Sequence, residues 1–293
     1  MVTSLLSKVW ENDEKWRDLF ANHESETSGQ LNGLRSKHMR YPADKRCVLC
    51  SIPFDGAGFE AFGRRMPNVR NPHYCDACDE YMSNLYPGKV KHACPIIAID
   101  MRGSTLKAKQ ADQRGLDYLL SWQQPFESAT FEVLAENDGF LENWRGDELK
   151  GIYPRGFSGE SNAKKAWNTA LALLQRSPRA GDGSEISLGI GVHFGDVWIY
   201  SRGTPEKEEP YSGCGIAGYS INVTSRFCDQ ANKQCDQNEA LISEILFEQA
   251  GLSTKGLERR SITVKDTGDK FDVFAVHADS DVSAFEFEDD ISG

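Results

Sequence analysis

Apolar and polar positions follow two periods along the chain, and the switches between them mark its elements. Over residues 4–24, Leu5, Val9, Trp16 and Phe20 recur at near-helical spacing and predict an amphipathic helix. Residues 25–36 are polar and read as linker, and over 40–85 Pro53, Gly56, Gly58 and Pro67 predict a loop-rich module. The apolar run at 96–99 stops at Asp100 and Arg-Gly-Ser-Thr, the pattern of a buried strand followed by a helix N-cap. Helix is expected from Thr105 to Asn137, with breaks near Gly115 and Pro125. Residues 140–153 read as a hairpin turning at Arg145-Gly146.

In the second half, Ala166, Ala170, Leu171 and Leu174 share one face of a helix over 161–176. Residues 186–200 read as two strands divided at Phe194-Gly195-Asp196. A helix over 217–231, a short strand at 240–242, a helix at 243–250 and strands at 260–265 and 270–277 follow. From Ala278 the chain is acidic and reads as disordered. The order β-α-α-β-β-α-β with appended elements predicts an α+β fold of the ferredoxin-like, or palm, kind.

At 293 residues the chain has room for one large domain and an accessory module. A net charge of -11 argues against a nucleic-acid polymer as the main partner, because phosphate backbones are held by basic stripes. No apolar run approaches the roughly 18 residues that span a bilayer. Charge interrupts the first residues, unlike a secretory signal, so a cytoplasmic protein with no membrane partner is expected.

Two of the cysteine spacings are informative. Cys47-Val-Leu-Cys50 and Cys75-Asp-Ala-Cys78 are paired CxxC knuckles, which in a reducing compartment read as one structural Zn2+ held by four thiolates. Free or redox-active thiols and an iron–sulfur cluster are the competing readings. Arg64, Arg65, Arg70 and His73 give the module a modest basic cluster, but the acidity elsewhere favours a structural or regulatory role over nucleic-acid binding.

Asp100 and Asp147 each lie at or near a strand-like segment beside a glycine turn. Two carboxylates on neighbouring strands can share a pair of divalent cations, as phosphoryl transfer from a nucleoside triphosphate requires. Arg102-Gly103-Ser104-Thr105 opens a helix whose amides and dipole can hold β- and γ-phosphates. Taken singly, each aspartate also fits a capping or turn residue.

Four segments in order, AIDMRGST, WRGDE, LGIGVHFGDVWIYSRG and GYSINVTSRF, resemble the catalytic domain of class III nucleotidyl cyclases. The resemblance runs over residues 93–277. It divides the chain into a helix and linker (1–36), a zinc-ribbon-like four-cysteine module (40–85), the cyclase domain and an acidic tail (278–293). It implies cyclisation of a nucleoside triphosphate to a 3′,5′-cyclic nucleotide with two Mg2+ or Mn2+ per site. Asp100 and Asp147 match the family's metal aspartates, with the Met101 carbonyl as a further ligand. Asn222 and Arg226, four apart on a helix, match the residues that orient the ribose and stabilise the pentavalent phosphate. Lys265 and Lys270 are candidates for the terminal phosphates. In the family the aspartates and the Asn/Arg pair meet across a dimer interface, so a homodimer is implied.

The chain departs from the family where the purine is read: those positions hold Asn143 and Gly215. Glycine offers no side chain and asparagine both donates and accepts, so the usual adenine readout is missing. The departure leaves open a pyrimidine cyclase acting on UTP or CTP, as in bacterial anti-phage signalling, an adenylate cyclase using other contacts, and use of GTP or several bases. A non-catalytic dimerisation platform would have lost metal or transition-state residues, all of which are present. A diguanylate cyclase would carry a GGDEF-like turn and has no use for the Asn/Arg pair.

Overall fold

The apolar run at 96–99 becomes the centre of a long strand, β1 (Lys89–Met101), in which Ile96, Ile97, Ala98 and Ile99 are fully buried. A continuous apolar run indicates a strand covered on both faces. Ile97 faces Leu134 of α6 (Leu116–Glu136), while Gly191, paired with Ala98, lies against the backbone of α9 (Tyr219–Gln230). The computed structural model describes residues 2–202, 213–235 and 237–280.

Ahead of β1 lie α1 (Val2–Phe20), α2 (Glu26–His38), α3 (Gly56–Ala61) and α4 (Asp76–Asn84). After it come α5 (Ser104–Arg114), α6, β2 (Phe140–Arg145), β3 (Glu148–Ile152), α7 (Arg155–Ser158), α8 (Asn162–Gln175) and β4 (Leu188–Arg202). Then follow β5 (Gly213–Ala217), α9, β6 (Glu239–Ser243), α10 (Glu244–Ala250), β7 (Glu258–Thr263) and β8 (Lys270–Val276). The sheet runs β2-β3-β1-β4-β6-β8-β7, with β5 paired to β4. Its β2-β3-β1-β4 part is antiparallel throughout, the ferredoxin-like order, and β6 joins β4 in parallel. The fold is therefore α+β. Among the described residues no helix is long and apolar enough to cross a membrane.

Three expectations are corrected. Residues 25–36 are not linker: Ser25 caps α2, accepting from the Ser28 amide at 3.1 Å. The helix has almost no apolar stripe, since its anchor is Arg35, 2% exposed, which donates to Asp138 at 2.6 Å and to the Phe157 carbonyl at 2.7 Å. Lys165 on α8 meets the same Asp138 at 2.5 Å, so one carboxylate ties α2 to α8. Pro125 does not break α6, because Trp122, Phe126, Thr130 and Leu134, four apart, are buried on one stripe and hold the helix through it.

The third correction is β4, one strand rather than two. It pairs with β1 without interruption through Phe194, Gly195 and Asp196. A side chain at Gly195 would sit 2.4 Å from Ser220 Oγ, so this glycine makes room for α9 and does not turn the chain. Pro95 is accommodated inside β1 for a similar local reason. The Tyr153 carbonyl, which an amide at position 95 would have engaged, accepts instead from Asn162 Nδ2 at 2.8 Å.

Trp16 and Phe20 of α1, the four clustered cysteines and the sheet residues Ile97 and Ile99 belong to one continuous apolar core. In place of ribbon strands, the four-cysteine segment has isolated bridges, Arg46 to Pro53 and Pro67 to Cys75.

Candidate active site

The first carboxylate is placed by strand register. Asp100, near the end of β1, lies opposite Glu148 of β3 and Gly189 of β4. The second comes from the Gly146-Asp147 turn of the β2–β3 hairpin, which is fastened to β1 because the Met101 amide donates to the Asp147 carbonyl at 3.0 Å. The sheet thus brings Asp100, Met101 and Asp147 to one edge. Burial pushes the Asp100 carboxyl up to about 6; Arg102 opposes the shift, and Asp147, Glu148 and Asp229 reinforce it. Such a crowd of carboxylates suits hard divalent cations with oxygen ligands, Mg2+ or Mn2+.

The turn after Met101 needs glycine. Gly103 has φ +73, a left-handed conformation that side-chain-bearing residues rarely adopt, and it caps α5. Amides in the first turn of a helix have no partner four residues back, which leaves those of Gly103, Ser104 and Thr105 without an intrahelical partner. The Arg102 amide is not part of this set, since it donates to the Ser187 carbonyl at 2.8 Å. Ser104 Oγ donates to Asp147 Oδ2, so hairpin and helix start are joined. The Arg102 side chain has partners on both β1 and α9. It donates to Asp100 Oδ2 at 2.7 Å, to the carbonyls of Cys228 and Ala231 at the end of α9, and to Asn232 Oδ1 at 3.4 Å.

Asn222 and Arg226 lie on α9, Asn222 exposed and Arg226 partly so. Gln230, its amide turned to accept, takes Arg226 Nη1 at 2.9 Å and Nη2 at 3.3 Å, while Nε is shielded and unpartnered. From the same helix Ser225 donates to Glu148 Oε1 at 3.3 Å. At about 100° per residue, Asn222 and Arg226 face roughly 60–100° away from that contact. Among the described residues no hydrogen bond or ion pair joins Asn222 or Arg226 to Asp100, Asp147 or Glu148.

Gly215 on β5 pairs with Tyr200 of β4. A Cβ there would lie 2.7 Å from Tyr200 Cζ and 2.8 Å from Arg202 Nε, so those two side chains occupy the space a base-reading residue would use. Beside Tyr200 opens a cleft of about 440 Å³ lined by Tyr86, Lys89, Trp198 and Ala217. Asn143 lies on β2 opposite Lys150, next to a register shift after Leu141. Its side chain lies outside the described residues, as does the acidic tail from 281. Lys265 and Lys270 are exposed at the β7–β8 turn, which docks on the start of α9 through Tyr219 Oη donating to Asp269 Oδ2 at 2.6 Å. Among the described residues no hydrogen bond joins either lysine to Asp100 or Asp147.

The thiols of Cys47, Cys50, Cys75 and Cys78 converge within 4.8 Å of one another. Cys50 and Cys75 sulfurs are 3.8 Å apart, and tetrahedral coordination at about 2.3 Å from zinc gives an edge of about 3.8 Å. Hydrogen bonds among the four thiols push Cys75 down and Cys50 and Cys78 up, so the four share their protons as one group. Sequence reasoning missed Glu148, Asp229, Ser225, Tyr200 and Arg202. The β1–β3 and β4–β5 registers reveal Glu148, Tyr200 and Arg202, and the packing of α9 on the sheet reveals Ser225 and Asp229; no spacing in the chain encodes these.

No protein-family model matches this chain, and no curated protein matches it in sequence. Solved structures do match in fold. The guanylyl cyclase Cya2 superposes with TM-score 0.52 at 17% identity, covering 69% of this chain and 98% of that one. The adenylyl cyclase CyaB from P. aeruginosa gives 0.51 at 14% identity, covering 68% and 97%. The guanylate cyclase domain of RhGC from Catenaria anguillulae, in complex with GTP, gives 0.51 at 15% identity, covering 67% and 100%. The chain has the fold of class III adenylyl and guanylyl cyclase catalytic domains.

Proposed function

We propose that this protein is a nucleotidyl cyclase that converts a nucleoside triphosphate to a 3′,5′-cyclic nucleotide and pyrophosphate. The observation that carries the reading is the meeting of Asp100 and Asp147 at the Met101 amide, directly before the start of α5. Asp100, Asp147 and the Met101 carbonyl hold two Mg2+ or Mn2+ ions. When bound, these ions lower the pKa of the ribose 3′-hydroxyl and neutralise charge on the leaving pyrophosphate. The amides of Gly103, Ser104 and Thr105 receive the β- and γ-phosphates at the helix start. Asn222 orients the ribose and Arg226 grips the α-phosphate oxygens with its fork, both supplied by the second subunit of a homodimer. Lys265 and Lys270 are the basic candidates for the terminal phosphates. The four-cysteine cluster holds one structural Zn2+ that fixes the module against the catalytic sheet.

Base selection leans to UTP or CTP, with a role in anti-phage signalling as the resemblance suggests. Gly215 is covered by Tyr200 and Arg202, which supports a readout different from that of adenylate cyclases. The aromatic faces of Tyr200 and Trp198 favour stacking on the ring, with Asn143 pairing to its edge. The test incubates the full chain with each of ATP, GTP, UTP and CTP and Mn2+, and identifies products by mass spectrometry. Cyclic UMP or cyclic CMP is expected. Clean selectivity for ATP replaces the pyrimidine reading with an adenylate cyclase, and no cyclic product from any triphosphate refutes catalysis.

A further inference from the structure

Among the described residues a second group of potential metal ligands lies away from the four-cysteine cluster: Cys235, Glu239 and His277. They come from three segments, the loop after α9, the first residue of β6 and the residue after β8. The β6–β8 register, with Ala240 opposite Val276, carries Glu239 and His277 side by side. We propose that these three residues form a zinc site.

The distances fit. Zinc at about 2.3 Å from sulfur and about 2.0–2.2 Å from nitrogen or oxygen gives tetrahedral edges of about 3.6 Å for S···O and about 3.4 Å for N···O. Cys235 Sγ lies 3.5 Å, and His277 Nε2 3.7 Å, from Glu239 Oε1. The ligands are also oriented from behind, as metal ligands characteristically are. His277 Nδ1 lies 3.3 Å from the Asn238 carbonyl, the contact that makes Nδ1 the donor and leaves the Nε2 lone pair facing Glu239. Glu239, fully buried, accepts from the Asn232 amide at 2.9 Å on Oε2.

Charge agrees as well. Arg260 binds Glu239 at 2.9 Å and Glu258 at 2.8 Å, so one guanidinium serves two carboxylates. With Cys235 as thiolate the group carries two net negative charges, which one Zn2+ neutralises as the thiol proton passes to solvent. Three protein ligands leave a fourth position for water. The site also reaches the catalytic edge: Asn232, whose amide holds Glu239, meets Arg102 through its side chain, and Arg102 holds Asp100. Zinc on Glu239 therefore alters how Arg102 is held and with it the affinity of Asp100 for Mn2+. This last consequence rests on the two-metal reading of the active site.

The test measures zinc content of the full chain by mass spectrometry after equilibration at micromolar free Zn2+, which does not depend on turnover. About two zinc ions per chain are expected for the wild type and about one for Cys235→Ser and for His277→Ala. Cys47→Ser should lose the other ion, and with Co2+ the remaining site should lack the four-thiolate spectrum. Equal zinc in wild type, Cys235→Ser and His277→Ala overturns the site, whether or not the four-cysteine cluster is filled. Zinc that binds as expected while leaving Mn2+ affinity, read by electron paramagnetic resonance, equal in wild type and Cys235→Ser overturns the coupling alone.

Discussion

Replacing Arg102 by methionine removes a guanidinium that holds two functional elements together. Its side chain is 24% exposed and donates to Asp100 at 2.7 Å, to the Ala231 carbonyl at 3.1 Å and to the Cys228 carbonyl. Hydrogen bonds from a charged donor contribute about 1.5–3 kcal/mol each, and the two carbonyls end a helix whose negative pole favours a cation. Methionine keeps much of the apolar stem, so the carbonyl bonds and the lost ion pair dominate, at about 3–5 kcal/mol. Urea unfolding at neutral pH without Mg2+ or Mn2+ measures the loss. Lysine at 102 should recover the pairing with Asp100 but not both carbonyls, giving an intermediate value. Adding Mn2+ should stabilise the methionine variant more than the wild type, because the ion replaces the missing counter-charge of Asp100. A loss below about 1 kcal/mol, or a lysine variant as stable as the wild type, refutes the assignment of Arg102 as the link between β1 and α9.

Four further outcomes follow from the structure. His193, 6% exposed between Phe227 and Phe271, has its pKa pushed down by burial to about 4. The unfolded chain takes up this proton below about 6.5 while the folded chain resists until about 4, so His193 alone costs about 3 kcal/mol as pH drops through that window, opposed by Asp100, whose raised carboxyl is protonated first in the folded chain. In urea unfolding His193→Phe should therefore gain stability on the wild type as pH falls from about 6.5 to about 4, and a difference between the two that does not change with pH rejects the assignment. Asp147→Asn should abolish cyclic-nucleotide formation with the far-ultraviolet circular dichroism unchanged. Mixing inactive Asp100→Asn and Arg226→Ala chains should restore about a quarter of wild-type activity, since half the dimers carry one intact site; no recovery after subunit exchange rejects the shared site. Chelating zinc should lower the midpoint of thermal unfolding for the whole chain, because the cysteines share one core with the sheet. A transition that stays put on removal of zinc contradicts a structural role.

The carboxylates that the β1 end and the hairpin bring together were legible in the sequence further than the architecture around them. Asp100 and Asp147 are marked by an apolar run and a glycine turn, features local in the chain. The helix α2 was not legible, because its buried anchor is an arginine rather than an apolar stripe, and its partner Asp138 lies 103 residues away. Gly195 misled for the converse reason. It reads as punctuation within β4, but it is small because Ser220 of α9 fills the space where its side chain would be. Glu148 lay within a recognised motif and still escaped notice, since only the pairing of β1 with β3 sets it opposite Asp100. Local periodicity reports burial; it does not report which distant segment provides it.

These contacts bear on the proposal that the active site is shared between two subunits. Arg102 caps the end of α9 and Ser225 meets Glu148, so α9 is fastened to the Asp100 and Glu148 edge of its own chain at two points. The fastening fixes the rotation of the helix about its axis. Ser225 then faces the hairpin, and Asn222 and Arg226 are turned roughly 60–100° aside. In the proposed homodimer the α9 of a second copy would supply Asn222 and Arg226 to this edge with both contacts kept, and the mixing experiment reads that division of labour directly.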